Sequence, residues 1–558
     1  MATSPAPGRI AAALSARTRH WRTRTILERD LWAFRRRYGA VLGPAPAATG
    51  GTALLASLTY SAFQLKLEGM LAKAFQLKGL DVVAAVPSDS DLPRRTLEVF
   101  GVRRFVSLDD FAGAGVEERA RRESEALLAE VGSTGELKEL TYGGASVGRQ
   151  VLSTISRHLH EGAVDLSDPR TREVAAQFLP IAIRTTLAAE TLLGELDPDL
   201  VLFNERNYAA EGPLSDLALE QGRNVIQFVS GFEDETLVFK RYTAATKGLH
   251  PRSLSDESWP LVESLDWTAE RDRELDEDFG RRYDGSTFLA RWNQGSTRRQ
   301  SRDQIMAALG LDPARKTAVV FSHVLWDANM FFGRDLFADQ EEWFVETVRA
   351  ACANDRANWV VKLHPANVWK LRRDRVSGEL DELVAIRERI GELPPYVHVL
   401  PPDSDISTWS LFGLTDVGVT IRGSVGFELP CLGIPVLTAG TGFYSGRGFT
   451  VDSATAGEYL ERLASIEATP PPSAEQVTLA RKHAYALFRL RQTRFTSFRS
   501  VYRSIDEIDH PFEATVEIAL RSSGELERAE DLRRFGDWAV DSRALDYLDR
   551  QVVGVDSG

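Results

Sequence analysis

The sequence predicts an α/β protein of two Rossmann-like, doubly wound domains with a cleft between them. Three observations predict it. Short apolar, β-branched runs alternate with helical periodicities twice along the chain, once from residue 51 and again from residue 311. The first run is followed by a helix long enough for a parallel crossover, and helices separate the runs of the second half. Polar and glycine-rich clusters fall just after the strands, where open α/β sheets hold ligands. At 558 residues two domains are expected, and 43% hydrophobic with 26% charged residues is a globular composition.

Taken in order, residues 1–50 form a basic arm. Nine arginines stand against Glu28 and Asp30, interleaved with Trp21, Ile26, Leu27, Leu31, Trp32 and Phe34. Such a segment suits an anionic membrane surface, or else packs on its own protein. Residues 51–300 read as the first Rossmann-like domain. Its strands are Thr52 to Thr59, Val82 to Val86, Phe105-Val106, Asp199 to Phe203 and Asn224 to Val229. Helices are expected from Ser61 to Gly79 and over 115–131, 171–195 and 212–221. Residues 252–300 show no strand pattern and read as charged surface helices. After the break at Gly310 to Pro313, residues 311–470 form the second domain. Its strands are Thr317 to Phe321, Trp359 to Leu363, Val397 to Leu400, Val417 to Ile421 and Pro435 to Thr438. Pro470 to Pro472 break the chain. Residues 473–504 then read as a long basic helix or helix pair, and the last fifty as acidic and helical, with 473–558 packing back across both domains.

The net charge of −13 argues against nucleic acid as a partner. Two cysteines, Cys352 and Cys431, exclude a disulfide scaffold and a Cys-rich zinc site, and they suit a reducing cytoplasm. No run of 18 apolar residues marks a membrane span, and the N-terminus lacks the apolar core of a secretion signal. A cytoplasmic protein, peripheral on the inner face of the membrane, is expected.

Four clusters of the second domain follow strands: Ser322-His323 with Trp326 and Asp327, Lys362 to Pro365, Arg422-Gly423-Ser424, and Gly440 to Gly448 with Tyr444 and Arg447. Parallel strands end at one edge, so these clusters should converge in one crevice. They bring cations, hydroxyls, backbone that can lie close to a ligand, and the N–H groups at a helix start, a combination that suits a phosphate or diphosphate ester. His364 precedes a proline and is held at its strand end, where an imidazole can hydrogen-bond or protonate a leaving phosphate. Glu428 suits a ribose diol. The Tyr142-Gly143-Gly144 loop is a further ligand candidate. Asp89-Ser90-Asp91 and Asp403-Ser404-Asp405 match a metal-binding pattern but lie in turns that favour Asp and Ser anyway, so no metal is expected.

The segments KLHPAN (362 to 367), RGSVGFELPCLGIPV (422 to 436) and FYSGRGFT (443 to 450) resemble the bacterial capsular polysaccharide biosynthesis group, which includes Kdo transferases. More distantly they resemble polysialyltransferases and CDP-glycerol glycerophosphotransferases. The resemblance covers about 317–452, and in the N-terminal half only the βαβ pattern and the Tyr142 to Gly148 loop. It implies a GT-B glycosyltransferase that binds a nucleotide-sugar, CMP-linked and Kdo-like, in the C-terminal domain, and a glycan or glycolipid acceptor in the cleft. By the resemblance His364 and Ser424 bind the donor phosphate, Lys362 and Arg422 lie nearby, Glu428 faces the ribose, and no cofactor is required. The base or nucleophile belongs to the N-terminal half, where Glu205, Glu233 and Asp234 are candidates by position. The alternatives are a CDP-polyol phosphotransferase making a teichoic-acid-like polymer, a non-catalytic nucleotide-sugar-binding envelope assembly protein, and a GT-B epimerase.

Overall fold

The computed structural model describes residues 7–44, 46–292, 294, 296–327, 330–374, 378–503 and 514–549. The chain divides into two compact units, Met1–Ser107 with Phe495–Ser542, and Leu108–Arg494 with Arg543–Gly558.

In the first unit three parallel strands, β1 (Thr52–Ala56), β2 (Asp81–Ala85) and β3 (Arg104–Val106), pair in sequence order. The crossover helix Ala62–Leu77 starts at Ser61, whose Oγ accepts the Gln64 amide (3.3 Å), and gives way to Gly79 at φ +80°. The N-terminal segment is a helix, Pro7–Leu42. Its later turns bury Leu31, Phe34, Tyr38, Val41 and Leu42, and Asp30 receives the buried Lys66 ammonium (2.6 Å). That stretch therefore packs on its own protein, while Trp32 stays 63% exposed.

The second unit holds β4 (Leu200–Phe203) and β5 (Asn224–Ser230), which are parallel, and β6 (Thr236–Tyr242), antiparallel to β5. Strand β6 was not expected. Its Lys240 and Arg241 hide the apolar pattern, yet Lys240 is fully buried and ion-paired with Asp546 (2.6 Å). A six-stranded, all-parallel sheet follows: β7 (Thr317–Phe321), β8 (Asn358–Lys362), β9 (Val397–Leu400), β10 (Val417–Thr420), β11 (Val436–Thr438) and β12 (Val451–Asp452). Its order is β12-β11-β10-β7-β8-β9, the order of a Rossmann half. β7 and β10 are neighbours, and the connections leave them in opposite directions. The protein is thus an α/β chain with Rossmann-like parallel sheets, as expected.

The long basic helix expected to residue 504 stops at Leu490, after the helix Ala474–Tyr485 and one π turn. β13 (Thr493–Arg494) joins β6. In the first unit β14 (Phe498–Tyr502) forms a hairpin with β15 (Ala514–Ile518). Alternation in FTSFRSVY, with Phe498 and Ser500 buried and Arg499 exposed, is a strand period that the basic charge masks. The tail is accordingly mixed rather than all helical. No described helix is long and apolar enough to cross a membrane.

Candidate functional site

β10 ends in the turn Ile421-Arg422-Gly423, and Ser424 opens the helical run Val425–Glu428, continued by Pro430–Leu432 and stopped by Gly433 at φ +76°. A Cβ on Gly423 would lie 2.9 Å from Thr420 Oγ1 and 3.2 Å from His323 Nε2, so the turn can pass this close only as glycine. The β7 loop and the β10 turn thus meet where the sheet order reverses, the position at which open α/β sheets form their crevice. A cavity of about 140 Å³ opens there, lined by Ser322, His323, Lys362, His364, Gly423, Ser424 and Glu428, with Arg282 and Tyr283. Three of the four expected clusters converge.

His364 lies just beyond β8. The Ala366 amide donates to its Nδ1 (3.1 Å), which leaves Nε2 to carry the ring proton. Burial, with Lys370 and Lys362 adding to it against Asp327, pushes its pKa down to about 4, so the ring is neutral at pH 7. The His323 ring lies 6.4 Å away and is pushed to about 3, first by burial and then by His364. Lys362 donates to the Pro401 carbonyl (2.9 Å), and burial lowers its pKa to about 8 against the pull of Asp403. Ser424 Oγ stands 3.3 Å from Glu428 Oε2 and accepts from Arg282 (3.2 Å). Glu428 is fully buried and held by Arg282 Nε (2.6 Å) and the Tyr283 hydroxyl (2.7 Å). The Ser424 and Val425 amides have no backbone acceptor among the described residues. The wall therefore offers several donors and cations to an anion.

A second cavity, about 380 Å³, adjoins the first at His323, Gly423, Ser424 and Arg282. It adds Arg422, Gly442 and Phe443 from the second sheet's loops and Phe232, His250 and Arg252 from the segments around β5 and β6. Arg422 reaches the Phe332 carbonyl (2.9 Å) and pairs with Asp335. Asp327 also lines this cavity and pairs with Lys370 and with Arg157 (3.1 Å). Arg157 also donates to the Tyr208 hydroxyl (3.2 Å). Glu205 lines neither cavity; desolvation raises it to about 7, Arg157 opposing the rise and Asp327 adding to it. Glu211, beside Glu205, is raised to about 8.

Several expected residues lie elsewhere. Tyr444 is fully buried in an apolar cluster, pressed against Gly426 and Gly442, whose added Cβ atoms would come within 2.0 and 2.5 Å of its ring. It is core and does not line either cavity. Arg447 clasps the chain at Leu254 (2.7 Å to its carbonyl) and Asp256 (3.0 Å), and lies over Trp259. Glu233 pairs with Arg281 and Arg494 (both 3.2 Å), and Asp234 accepts the Phe288 amide (2.8 Å); both brace loops. Tyr142 is tied to Glu123 and Arg119, and the turn at Gly143 (φ +53°) and Gly144 (φ +86°) presses against Thr186 and Glu220. That loop is a packed corner, and its three residues line neither cavity. Arg282, Arg252 and His250 went unrecognised in the sequence. For Arg282 the signal was the stripe Leu275, Phe279, Tyr283 at i, i+4, i+8, which marks a packed helix and not a surface one. Among the described residues no group of three or more His, Cys, Asp or Glu side chains is placed to hold a metal ion.

No family model matches the sequence, and no curated protein does. Among solved structures, the Thermosulfurimonas dismutans KpsC beta Kdo 2,4 transferase is 17% identical, with 53% of this chain and 82% of that one covered and a TM-score of 0.32. Its beta Kdo 2,7 transferase gives 17%, 62%, 88% and 0.30 in the same order. A UDP-GlcNAc 2-epimerase from Neisseria meningitidis, bound to UDP-GlcNAc, gives 11%, 78%, 95% and 0.25. Likeness this distant transfers no function to the chain, and the site rests on its own geometry.

Proposed function

We propose that the chain is a glycosyltransferase of capsule or other cell-envelope polysaccharide synthesis. It takes a sugar from a nucleotide-activated donor, CMP-linked and Kdo-like, to a glycan or glycolipid acceptor. The observation that carries this reading is the cavity between the β7 and β10 loops, lined by Lys362, His364, Ser424 and Arg282 at a parallel sheet's ligand edge. The donor half is residues 311–470, and the acceptor enters from residues 51–300.

On this reading the departing phosphate meets the His364 Nε2–H, the Ser424 hydroxyl and amide, and the Lys362 ammonium. His364 acts as a neutral hydrogen-bond donor. Glu205 serves the acceptor, taking the proton of the attacking hydroxyl once it is ionised. Glu428 reaches the ribose while holding Arg282. Side chains and amides carry the phosphate charge, no cofactor is needed, and transfer survives EDTA. The arginines that the N-terminal helix leaves exposed while its other face packs on the protein, Arg35, Arg36 and Arg37 among them, hold the protein against the anionic inner face of the membrane, which flotation with anionic vesicles reads.

A thermal-shift panel of CMP, CDP, UDP, GDP and ADP tests the reading. A nucleotide at a hundred times its dissociation constant adds about 2.7 kcal/mol of stability. Cytidine nucleotides should stabilise the protein, and Ser424→Ala should lose the effect. Stabilisation by UDP or GDP alone removes the CMP assignment, and no shift with any nucleotide removes the donor site.

A further inference from the structure

The larger cavity holds a charge that nothing on its walls neutralises. Of its three guanidiniums, Arg282 is paired with Glu428 and Arg422 with Asp335. Its carboxylate, Asp327, is engaged by Lys370 and Arg157. Arg252 pairs with no carboxylate among the described residues. It donates to the Ser230 carbonyl (2.8 Å) and lies 5.1 Å over the Phe232 ring, and its buried Nε finds no acceptor. The charge that bears most on it is the like charge of Arg282, and burial with that neighbour leaves it still a cation at neutral pH. His323 Nε2 is likewise buried without a partner on the same cavity. A desolvated guanidinium without a counter-ion is costly to keep, and facing a cavity it marks a place for an anion.

We infer that this cavity is a second anion subsite, centred on Arg252, for a carboxylate or phosphate that the substrate carries in addition to its leaving phosphate. The Arg252 fork suits either group. Phe232, Phe332 and Phe443 line the rest of the cavity and offer apolar ring faces to a sugar. The inference rests on reading the adjoining cavity as the donor-phosphate site, because it takes the two anions to belong to one substrate.

The test keeps CMP saturating, so that the smaller cavity is filled, and titrates glucuronate, glucose or inorganic phosphate while following the melting temperature. Glucuronate or phosphate should raise it further and glucose should not. Arg252→Gln should abolish that increment while retaining the CMP shift, which also reports that the variant is folded. Arg252→Lys, which keeps the charge and loses the fork, should weaken the increment several-fold. A response to glucuronate alone assigns the subsite to a sugar carboxylate, and a response to phosphate alone assigns it to a second phosphate. Equal responses to glucose and glucuronate, or an Arg252→Gln protein that answers the anions like wild type, overturn the inference. If CMP itself gives no shift, the donor-site reading fails, and the anion titrations without nucleotide still decide whether Arg252 holds an anion.

Discussion

His364 and Glu205 carry opposite expectations for pH. The proton on His364 Nε2 is fixed by the Ala366 amide at Nδ1, and burial keeps the ring neutral down to about pH 4. A catalytic imidazolium would lose activity as pH rises through 6 to 7; a neutral donor does not. Glu205, raised to about 7, must ionise to act as a base, so kcat/KM should climb as pH rises through about 7 and fall again above about 8 as the Lys362 ammonium is lost. A pH–rate profile reads both, and a falling limb near pH 6.5 in wild type contradicts the neutral-donor role. His364→Ala should keep its melting temperature and lose at least about 100-fold in transfer, the scale of one lost proton-handling group. Glu205→Gln should lose the rising limb.

The β6 strand and the Leu545-Asp546 segment are joined by a buried charge network. Asp546 accepts from Lys240 (2.6 Å) and from the Ser255 amide (2.7 Å), and Arg491 stands 3.1 Å away, with all three side chains at most 1% exposed. Asp546→Asn leaves two buried cations facing each other, which costs about 3–5 kcal/mol and should appear as a large drop in the denaturation midpoint. Sequence periodicity could not reveal β6, because its two charged residues are also held from about 300 positions away, Lys240 by Asp546 and Arg241 by the Ala544 carbonyl. Five of the six parallel strands of the second sheet were legible because burial on both faces makes them continuous apolar runs, as in DVGVTI and NWVVKL, whereas the two-residue β12 at the edge was not. From that sheet the convergence of Ser322, Lys362, His364 and Ser424 follows by topology alone. Arg252 and His250 come from a segment without a strand pattern, so nothing local pointed to the crevice, and for Arg282 the helical stripe marked packing alone. Tyr444 shows the reverse error: an aromatic between glycines reads as a ligand loop, whereas here Gly426 and Gly442 are small to admit the ring into the core.

Across the whole molecule buried titratable groups set a pH optimum for stability. Four histidines, 250, 323, 364 and 483, are held neutral by burial, the last three with pKa values near 3 to 4. Unfolded, each takes up a proton below about 6.5, so their contribution is present above that pH and is lost as pH falls through the folded values. Two buried acids act in the other direction. Glu68, 3% exposed, is raised to about 8 and Glu382, 2% exposed, to about 7, both mainly by burial. Unfolded, each ionises above about 4.5, so stability falls as pH rises from there to the folded values. Between about pH 4.5 and 6.5 the two sets oppose each other. Below that window the histidines act, and from 6.5 to 8 the acids do. The melting temperature should therefore peak in the mildly acidic range and decline towards pH 8. Glu68→Gln isolates one contribution. It should match wild type near pH 4.5, and its advantage should widen up to about pH 8 and then level off. A tenfold difference in acidity between the folded and unfolded carboxyl is worth about 1.4 kcal/mol, so the widening should amount to a few kcal/mol in chemical denaturation. A constant difference between variant and wild type over that range would show that Glu68 ionises as readily in the folded protein as in the unfolded chain.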